Sequence, residues 1–289
     1  MSSALRLAHG AFGRVALLDM DAPLVRHAHP HCHILIKTAG ADTSFLVRDR
    51  RVPLTGENAV LINAWEPHAY VHDSSRPRAV LLAFYIEPAW LSGFRPNWAA
   101  SAAPDFFGRS SDWITPAIRR RSDELAALMM AAPEAGGAHE TLISRLMIDA
   151  LERYAPWRTA APGDVARGNT VDYRIRRALA LFRGSAGTVA DMTAVAREVG
   201  LSRAHFFRLF RETVQLSPRV FLNTMRMEAA VADVMTGEGC LADISDRLGF
   251  SVPAHFTRFF RDHAGAPPRE FRAIARLTAA AGPALDVRR

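Results

Sequence analysis

Four histidines alternate with other residues near the N-terminus, in the run His27-Ala-His29-Pro-His31-Cys-His33. In an extended backbone every second side chain lies on the same face, so this run would place the four imidazoles together, with neighbours about 6.6 Å apart. A tetrahedral or octahedral metal ion could bind two neighbouring imidazoles and take its other ligands from a second strand. The next histidine along the chain is His68.

The same histidines admit a second interpretation, in which they line a polar ligand pocket or lie on an exposed strand. Pro30 favours a bulge or an edge strand, because proline cannot donate a ladder hydrogen bond. No cofactor is required on this interpretation. The sequence therefore predicts ligand-binding residues at His27, His29, His31, His33 and His68, and candidate ligands for a divalent metal at His27, His29, His33 and His68.

A second set of candidate residues lies in a segment that occurs twice in the C-terminal half. Residues 192–202 are echoed by residues 241–251, and residues 205–211 by residues 255–261. Each copy contains a short amphipathic helix, a glycine that permits a sharp reversal and a serine suited to cap the next helix. That next helix carries two phenylalanines four residues apart for the core. The repetition predicts two helix-turn-helix units.

The helix between the two copies, residues 219–235, is apolar on one side and about 25 Å long at 1.5 Å per residue. Such a spacer could hold two recognition helices about one duplex turn apart, ~34 Å, so that both enter successive major grooves on one face of DNA. The faces of these helices that do not carry the phenylalanines supply the predicted DNA contacts. These are Arg203, Ala204, His205, Phe207, Arg208, Arg211, Pro253, Ala254, His255, Thr257, Arg258 and Arg261.

Two of these residues carry specific expectations. Arg208 could donate two hydrogen bonds to guanine O6 and N7, a contact worth about 1–3 kcal/mol of base discrimination. Phe207 either contacts a thymine methyl group or folds back into the core. The second recognition helix offers few hydrogen-bonding side chains, so we expect it to depend more on phosphates and DNA shape.

The second copy also carries a longer motif, Gly249-Phe-Ser-x-Pro-x-His-Phe-x-Arg-x-Phe260-Arg, followed by Gly265-x-Pro-Pro-x-x-Phe-Arg272. This motif resembles the signature of the AraC/XylS family of transcription regulators, and Ser217-Pro218-x-x-Phe221 in the first copy resembles its weaker partner. The resemblance implies base reading at Ala204, Phe207 and Arg208. One departure is Gln215, which stands where the second copy has Gly265. A residue other than glycine in a left-handed turn costs roughly 1 kcal/mol, so we expect a looser or differently turned first unit.

The N-terminal half contains short β-like runs separated by turn residues, which predict a sandwich or barrel. The runs are residues 15–18, 34–37, 43–47, 59–62, 68–71 and 79–85. Residues 27–72 resemble the cupin-like sensor barrel of AraC-type regulators. Metal-binding cupins pair an HxH motif with a later histidine and a glutamate. The resemblance therefore implies His68 as the ligand from another strand, and His33 stands at the position of the glutamate.

The predicted fold class is multi-domain α+β, with an N-terminal cupin-like β-barrel and helical hairpin followed by an all-α domain. The all-α domain has two helix-turn-helix units, residues 192–212 and 241–263, joined by a linker helix. The family resemblance assigns the helical pair to dimerisation. The predicted boundaries are 1–115 for the sensor barrel, 116–155 for the helical pair, 156–169 for the linker, 170–276 for the DNA-binding domain and 277–289 for the tail.

Composition and charge favour a globular protein with a polyanionic partner. The hydrophobic content of 49% and charged content of 22% are ordinary, and the net charge is +7. From residue 171 onward, 18 arginines and 12 acidic residues give +6 of that charge, as expected for a domain that binds DNA. Cys32 and Cys240 form no CxxC motif, which argues against a zinc finger. The chain shows no signal peptide and no apolar run long enough for a membrane span, so we expect a cytoplasmic protein.

The leading functional hypothesis is a bacterial transcription regulator that is not an enzyme. Its expected partners are double-stranded DNA, an unidentified small-molecule effector, a second copy of the chain and RNA polymerase. Effector binding would change DNA binding by a coupling of about 1–3 kcal/mol. The alternatives are a cupin-type metal-binding protein or metalloenzyme with an accessory DNA-binding domain, and a constitutive DNA-binding protein with an inert N-terminal domain.

Overall fold

The N-terminal half of the computed structural model is a cupin-like barrel made of two antiparallel sheets. The first sheet has the order β1-β2-β8-β3-β6-β9 and the second the order β5-β4-β7. The structure describes residues 2–155, 172–184, 191–236 and 239–279. The strands are β1 (Ser3–Gly10), β2 (Gly13–Met20), β3 (Cys32–Gly40), β4 (Thr43–Val47), β5 (Arg50–Leu54), β6 (Asn58–Ile62), β7 (His68–Val71), β8 (Ala79–Ile86) and β9 (Ser111–Trp113).

Both faces of the first sheet are buried, which explains why its strands are apolar at nearly every position. On β2, Val15 and Leu17 belong to the core between the sheet and the helices of this domain. Ala16 and Leu18 belong to the core inside the barrel. Successive side chains of a strand point to opposite faces, so His33 on β3 lies on the interior face with Leu35. This alternation places one of the predicted metal ligands inside the barrel.

Two short helical segments, α1 (Pro88–Phe94) and a 3-10 helix (Pro96–Ala102), precede a helical pair, α2 (Pro116–Ala131) and α3 (Gly136–Tyr154). The family resemblance assigns this pair to dimerisation, which stays a prediction, and the alternative is that the apolar stripe of α3 packs within its own subunit. In the structure Ile143, Leu146 and Leu151 are fully buried in the core shared with the barrel of the same subunit. The stripe is therefore used within the subunit, because it covers the outer face of the first sheet.

The C-terminal half is helical, and its two units follow the repeat in the sequence. The left-handed glycines predicted between the helices are present, with φ of 73° at Gly200 and 77° at Gly249. Ser202 caps the first recognition helix as expected, but Val252 rather than Ser251 is the N-cap of the second. The helices are α4 (Tyr173–Gly184), α5 (Met192–Glu198), α6 (Arg203–Val214), α7 (Pro218–Thr236), α8 (Leu241–Arg247), α9 (Pro253–Ala264) and α10 (Pro268–Ala279).

The barrel and the helical domain share one hydrophobic core. Barrel residues such as Leu7 and Met20 belong to the same buried cluster as Met227 on α7, Phe260 on α9 and Phe271 on α10. The edge strand β1 lies along α10, and the Ala4 amide donates a hydrogen bond of 3.1 Å to Glu270 Oε1. Burial of apolar surface from both sides stabilises this arrangement.

The predicted linker, the predicted tail and the domain boundaries depend on residues that the structure does not describe. The predicted linker, residues 156–169, lies outside the described residues, as does most of the predicted tail. The domain boundaries therefore stay predictions. Within the described ranges, no helix is both long and apolar enough to cross a membrane.

Candidate DNA interface and histidine site

The first recognition helix, α6, buries one face and exposes the other. Phe206 and Phe210 are fully buried, as their spacing predicted. The predicted contacts Arg203, Ala204, Arg208 and Arg211 are exposed, while His205 and Phe207 are half-buried. The Phe207 ring packs against Phe206, with 6.0 Å between ring centroids, and the Arg203 guanidinium lies 4.9 Å from the Phe207 centroid. The Phe207 ring therefore lies between the buried Phe206 and the exposed Arg203 side chain.

The second recognition helix, α9, repeats this division. Phe256 and Phe260 are buried. The Thr257 hydroxyl donates to the Pro253 carbonyl at 3.1 Å, so it is partly occupied within the helix. The six predicted contacts of this unit are all exposed, namely Pro253, Ala254, His255, Thr257, Arg258 and Arg261.

The arginines of the two helices differ in their partners. Arg261 forms an ion pair of 3.2 Å with its neighbour Asp262. Among the described residues, no carboxylate lies within ion-pair distance of Arg208 or Arg258. Since an arginine without an intramolecular partner keeps its donors for phosphate or base acceptors, these two side chains have the chemistry of a DNA contact.

The turn after the first recognition helix has the same geometry as the turn after the second. Gln215 has φ of 61° and Gly265 has φ of 80°. Each amide donates to the carbonyl four residues earlier, Gln215 to Arg211 at 2.9 Å and Gly265 to Arg261 at 2.8 Å. The expectation of a different turn in the first unit is therefore wrong, because Gln215 adopts the left-handed conformation in spite of its side chain.

Four of the five predicted histidines form one buried cluster at the end of the barrel that faces the helical domain. His27, His29, His33 and His68 are 4%, 5%, 3% and 1% exposed. The ring centroids of His27, His29 and His68 are 4.4–5.2 Å apart, and His33 lies 5.4 Å from His29 and 5.5 Å from His68. The cluster is tighter than the spacing of an extended strand.

The fifth histidine, His31, lies apart from the cluster. Its Nε2 forms a hydrogen bond of 2.9 Å with Glu87 Oε1. The prediction that all four histidines of the run share one face is wrong, because β3 begins only at Cys32 and the residues around Pro30 are not extended strand. His27 instead forms an isolated bridge with His68. That bridge brings the two histidines together from separate parts of the chain.

Hydrogen bonds fix the tautomer of the clustered imidazoles. Nδ1–H of His27 donates to the Val25 carbonyl at 2.7 Å, that of His33 to the Phe84 carbonyl at 2.9 Å, and that of His68 to the Glu66 carbonyl at 2.9 Å. A carbonyl oxygen can only accept, so each of these rings carries its proton on Nδ1 when neutral. The lone pair of each neutral ring is then on Nε2.

Burial also keeps the clustered imidazoles neutral. Desolvation lowers the pKa of His33 and of His68 to about 3. Desolvation likewise lowers the pKa of His27 and of His29 well below the usual value, and the neighbouring histidines lower it further. A cluster of neutral imidazoles is the form that binds metal ions.

The loop between β6 and β7 holds His68 in place. The buried Glu66 carboxylate accepts from the Asn63 amide at 2.9 Å and from Arg48 Nε at 2.7 Å. Trp65 adopts φ of 61°, a conformation that costs energy for a bulky residue and that the surrounding structure must maintain. Its amide donates to the His29 carbonyl at 2.6 Å, so one loop connects both strand segments of the cluster.

The helical domain contributes to this site as well. Glu228 on α7 accepts a hydrogen bond from His29 Nδ1 at 3.2 Å across 199 residues of sequence. His263 on α9 lies 6.1 Å from His27 between ring centroids. The Trp65 indole stacks on Phe221 of α7, at 4.9 Å and an interplanar angle of 13°. Sequence reasoning missed these residues, since no local pattern connects them to the histidines.

Two family models match this chain. The model described as AraC-like ligand binding domain matches residues 20–151, and the model described as helix-turn-helix domain matches residues 195–274. No curated protein sequence is significantly similar to the chain.

Solved structures resemble the whole chain or its helical domain. A point variant of apo ToxT from Vibrio cholerae strain SCE256 has a TM-score of 0.54 at 12% identity, covering 93% of this chain and 100% of that chain. The C-terminal domain of AraT, a response regulator from Geobacillus stearothermophilus, has 21% identity and a TM-score of 0.34, covering 36% of this chain and 87% of its own. A transcriptional regulator from Chromobacterium violaceum has 25% identity and a TM-score of 0.33, covering 36% and 92%. The likeness to ToxT shows the two-domain fold.

Proposed function

This chain belongs to the AraC-type transcription regulators, and we propose that its sensor barrel controls DNA binding directly through the core it shares with the helical domain. It is a DNA-binding transcription regulator with a ligand-binding domain for a small-molecule effector. The observation that carries the proposal is the division of α9. Pro253, Ala254 and Arg258 near its N-terminus are exposed. In its last turn His263 is buried, and the Asp262 carbonyl accepts a hydrogen bond of 3.1 Å from the Val25 amide of the N-terminal domain.

Direct control follows from this arrangement. An effector that changes the packing at the end of the barrel also changes the environment of α7 and α9. Helix α7 connects the two helix-turn-helix units, and α9 is the second recognition helix. A ligand shifts an equilibrium only by its differential affinity for the two states. On this proposal the two states differ in whether the helical domain is packed against the barrel. The effector site then has different neighbours in each state, so the effector can bind one state more tightly than the other.

The DNA contacts can be tested with the full-length chain. We would select preferred duplexes from a random pool and measure affinity by fluorescence anisotropy against a scrambled duplex. Arg208→Ala should reduce the preference for the selected sequence by about 5- to 150-fold, because a bidentate base contact contributes about 1–3 kcal/mol. Arg269→Ala, on the exposed side of α10, is the matched control and should leave the preference unchanged. Equal preference in the wild type and Arg208→Ala would contradict the assignment.

We further propose that the protein acts as a homodimer in the cytoplasm, contacts RNA polymerase when bound to DNA and catalyses no reaction. A two-fold symmetric dimer would match a palindromic operator with two half-sites. Burial of the histidine cluster beneath the helical domain supports the absence of catalysis, since turnover requires substrate access. Sedimentation equilibrium should give twice the chain mass of 31.8 kDa, and a monomer at all concentrations would rule out the dimer.

A further inference from the structure

We propose that His27, His29 and His68 bind a divalent transition-metal ion of the zinc type, and that this ion strengthens the attachment of the helical domain through His29 and Glu228. The inference rests on the proposed function, because it makes a metal ion the effector of the sensor barrel. It also extends the proposed function, because it assigns the effector class and the contact that transmits binding to the DNA-binding domain.

The orientation of the imidazoles is the first argument. His27 and His68 donate Nδ1–H outward to backbone carbonyls, and His29 donates Nδ1–H to the Glu228 carboxylate. Each neutral ring therefore has its Nε2 lone pair free for another group. In the described part of the chain, Nε2 of His29 and of His68 are buried without a hydrogen-bond partner. Buried acceptors that lack donors are costly, and a cation at the centre of the cluster would satisfy them.

The spacing of the three rings is the second argument. One ring nitrogen from each of His27, His29 and His68 lies within 4.8 Å of the others. A tetrahedral zinc ion with Zn–N bonds of about 2.0–2.1 Å needs nitrogens about 3.4 Å apart. Shifts of about 1 Å or less in each side chain would close that difference. His33 is the nearest candidate for a fourth ligand, with its ring 5.5 Å from His68.

The size of the neighbouring space favours an ion over an organic ligand. The cavity beside His29 has a volume of about 10 Å³ and is also lined by Arg14, Tyr85 and Met227, but not by His27 or His68. Such a volume holds about one water molecule, whereas pockets for organic ligands measure several hundred cubic ångströms. The donors are imidazoles without a thiolate, a set that suits zinc, copper, iron and nickel.

The hydrogen bond from His29 to Glu228 connects the ion to the helical domain. Histidines that bind metals commonly donate their second N–H to a carboxylate, which increases the basicity of the ligand, and loss of that partner costs about 10–100-fold in metal affinity. Here the carboxylate belongs to α7, the helix that connects the two helix-turn-helix units. By linkage, if attachment of α7 strengthens metal binding, metal binding strengthens the attachment of α7 by the same factor.

One neighbouring charge opposes the ion. The Arg14 guanidinium carbon lies 4.0 Å from the centroid of the Tyr85 ring, and its charge lowers the pKa of His29, after the larger effects of burial and of the neighbouring histidines. The Glu228 carboxylate offsets that charge only while the helical domain is attached to the barrel. Metal affinity should therefore depend on a residue of the DNA-binding domain.

The experiment uses the metal-free full-length chain, prepared with a chelator, and titrates Zn²⁺ in competition with a chromophoric chelator. The wild type should bind one ion per chain, and Co²⁺ in its place should give the intense visible bands of a four-coordinate site. Glu228→Gln should bind Zn²⁺ about 10–100-fold more weakly. Asp233→Asn, the same change on the same helix at a residue paired with Arg247, is the matched control and should bind like the wild type.

Several results would overturn the inference. Absence of stoichiometric Zn²⁺ binding would refute the proposed metal site. Unchanged binding by His68→Gln would remove the ligand assignment. Equal Zn²⁺ affinity in the wild type and Glu228→Gln would remove the connection to α7. As a readout independent of affinity, hydrogen exchange in α7 should slow on Zn²⁺ addition in the wild type and not in Glu228→Gln.

DNA binding separates this inference from the proposed function. Zn²⁺ should change the affinity of the wild type for its selected duplex by at least about 5-fold, and Glu228→Gln should reduce that effect. Sequence-specific DNA binding that is insensitive to Zn²⁺ would refute the metal as effector and leave the regulator intact. Stoichiometric Zn²⁺ binding without any DNA binding would refute the proposed function and leave the metal site.

Discussion

Substitution of Gly265 tests whether the second recognition helix contacts the barrel as the structure shows. Gly265 ends α9 with φ of 80°, and a Cβ at this position would lie 3.2 Å from Met20 Sδ and 3.4 Å from Met20 Cε. Gly265→Ala therefore combines two costs. The left-handed conformation costs roughly 1–2 kcal/mol for a residue with a Cβ, of which about 0.4–1 kcal/mol is returned because alanine restricts the unfolded chain. Overpacking against the Met20 side chain adds about 1–3 kcal/mol.

A matched variant separates the two costs. Gly200 has φ of 73°, and a Cβ there would meet no heavy atom within 4 Å. Gly200→Ala should therefore show only the backbone cost, about 0.5–1 kcal/mol. We expect Gly265→Ala to lower the free energy of unfolding by about 2–3 kcal/mol, measured by urea denaturation followed by circular dichroism.

A double-mutant cycle with Met20→Ala assigns the difference to the contact with the barrel. In the Met20→Ala background the new methyl group has space, so the cost of Gly265→Ala should fall to that of Gly200→Ala. Residues in contact give interaction energies of about 0.5–3 kcal/mol in such cycles. An equal cost for Gly265→Ala in both backgrounds would refute the docking of α9 on the barrel.

Two further predictions concern the same junction. Trp65→Ala removes the stacking on Phe221, which contributes about 0.5–1.5 kcal/mol beyond the buried area, so hydrogen exchange should accelerate in α7 and stay unchanged in α3; equal exchange in α7 would contradict the contact. In the metal-free chain, the free energy of unfolding should fall as the pH is lowered from about 7.5 to 5.5. The unfolded chain binds protons near the ordinary histidine pKa of 6.5, whereas burial holds the pKa of His33 and of His68 near 3 in the folded chain. Each of these two histidines should lower the free energy of unfolding by about 1.4 kcal/mol per pH unit below 6.5. Urea denaturation at a series of pH values measures this loss, and a free energy of unfolding that does not change with pH would contradict the burial of the cluster.

Much of the fold could be predicted from local patterns. Glycine at positions 200 and 249 marks the turn of each unit, and the phenylalanine pairs mark the buried face of each recognition helix. Six of the strands correspond to apolar runs, whereas β1, β5 and β9 were missed. On β5, Arg50-Arg-Val-Pro-Leu54, exposed and buried positions alternate only over the last four residues, which is too short a signal beside the arginines and the proline.

Other features could not be predicted from local patterns. The wide apolar stripe of α3 is equally compatible with a dimer contact and with the outer face of the sheet, because burial against either surface has the same periodicity. Likewise, the left-handed turn at Gln215 is decided by the same Arg211 carbonyl hydrogen bond that Gly265 makes with Arg261, rather than by the preference of the residue itself.

The sequence by itself determined the two helix-turn-helix units and the buried and exposed faces of the recognition helices, because helix periodicity, capping and turn residues act over a few neighbouring positions. Only the tertiary structure decided that His31 leaves the histidine cluster and that Glu228 and His263 join its surroundings. Those placements depend on how two folded surfaces pack together. The free energy of that packing comes from the combined burial of residues far apart in the chain, so no short stretch of sequence specifies it.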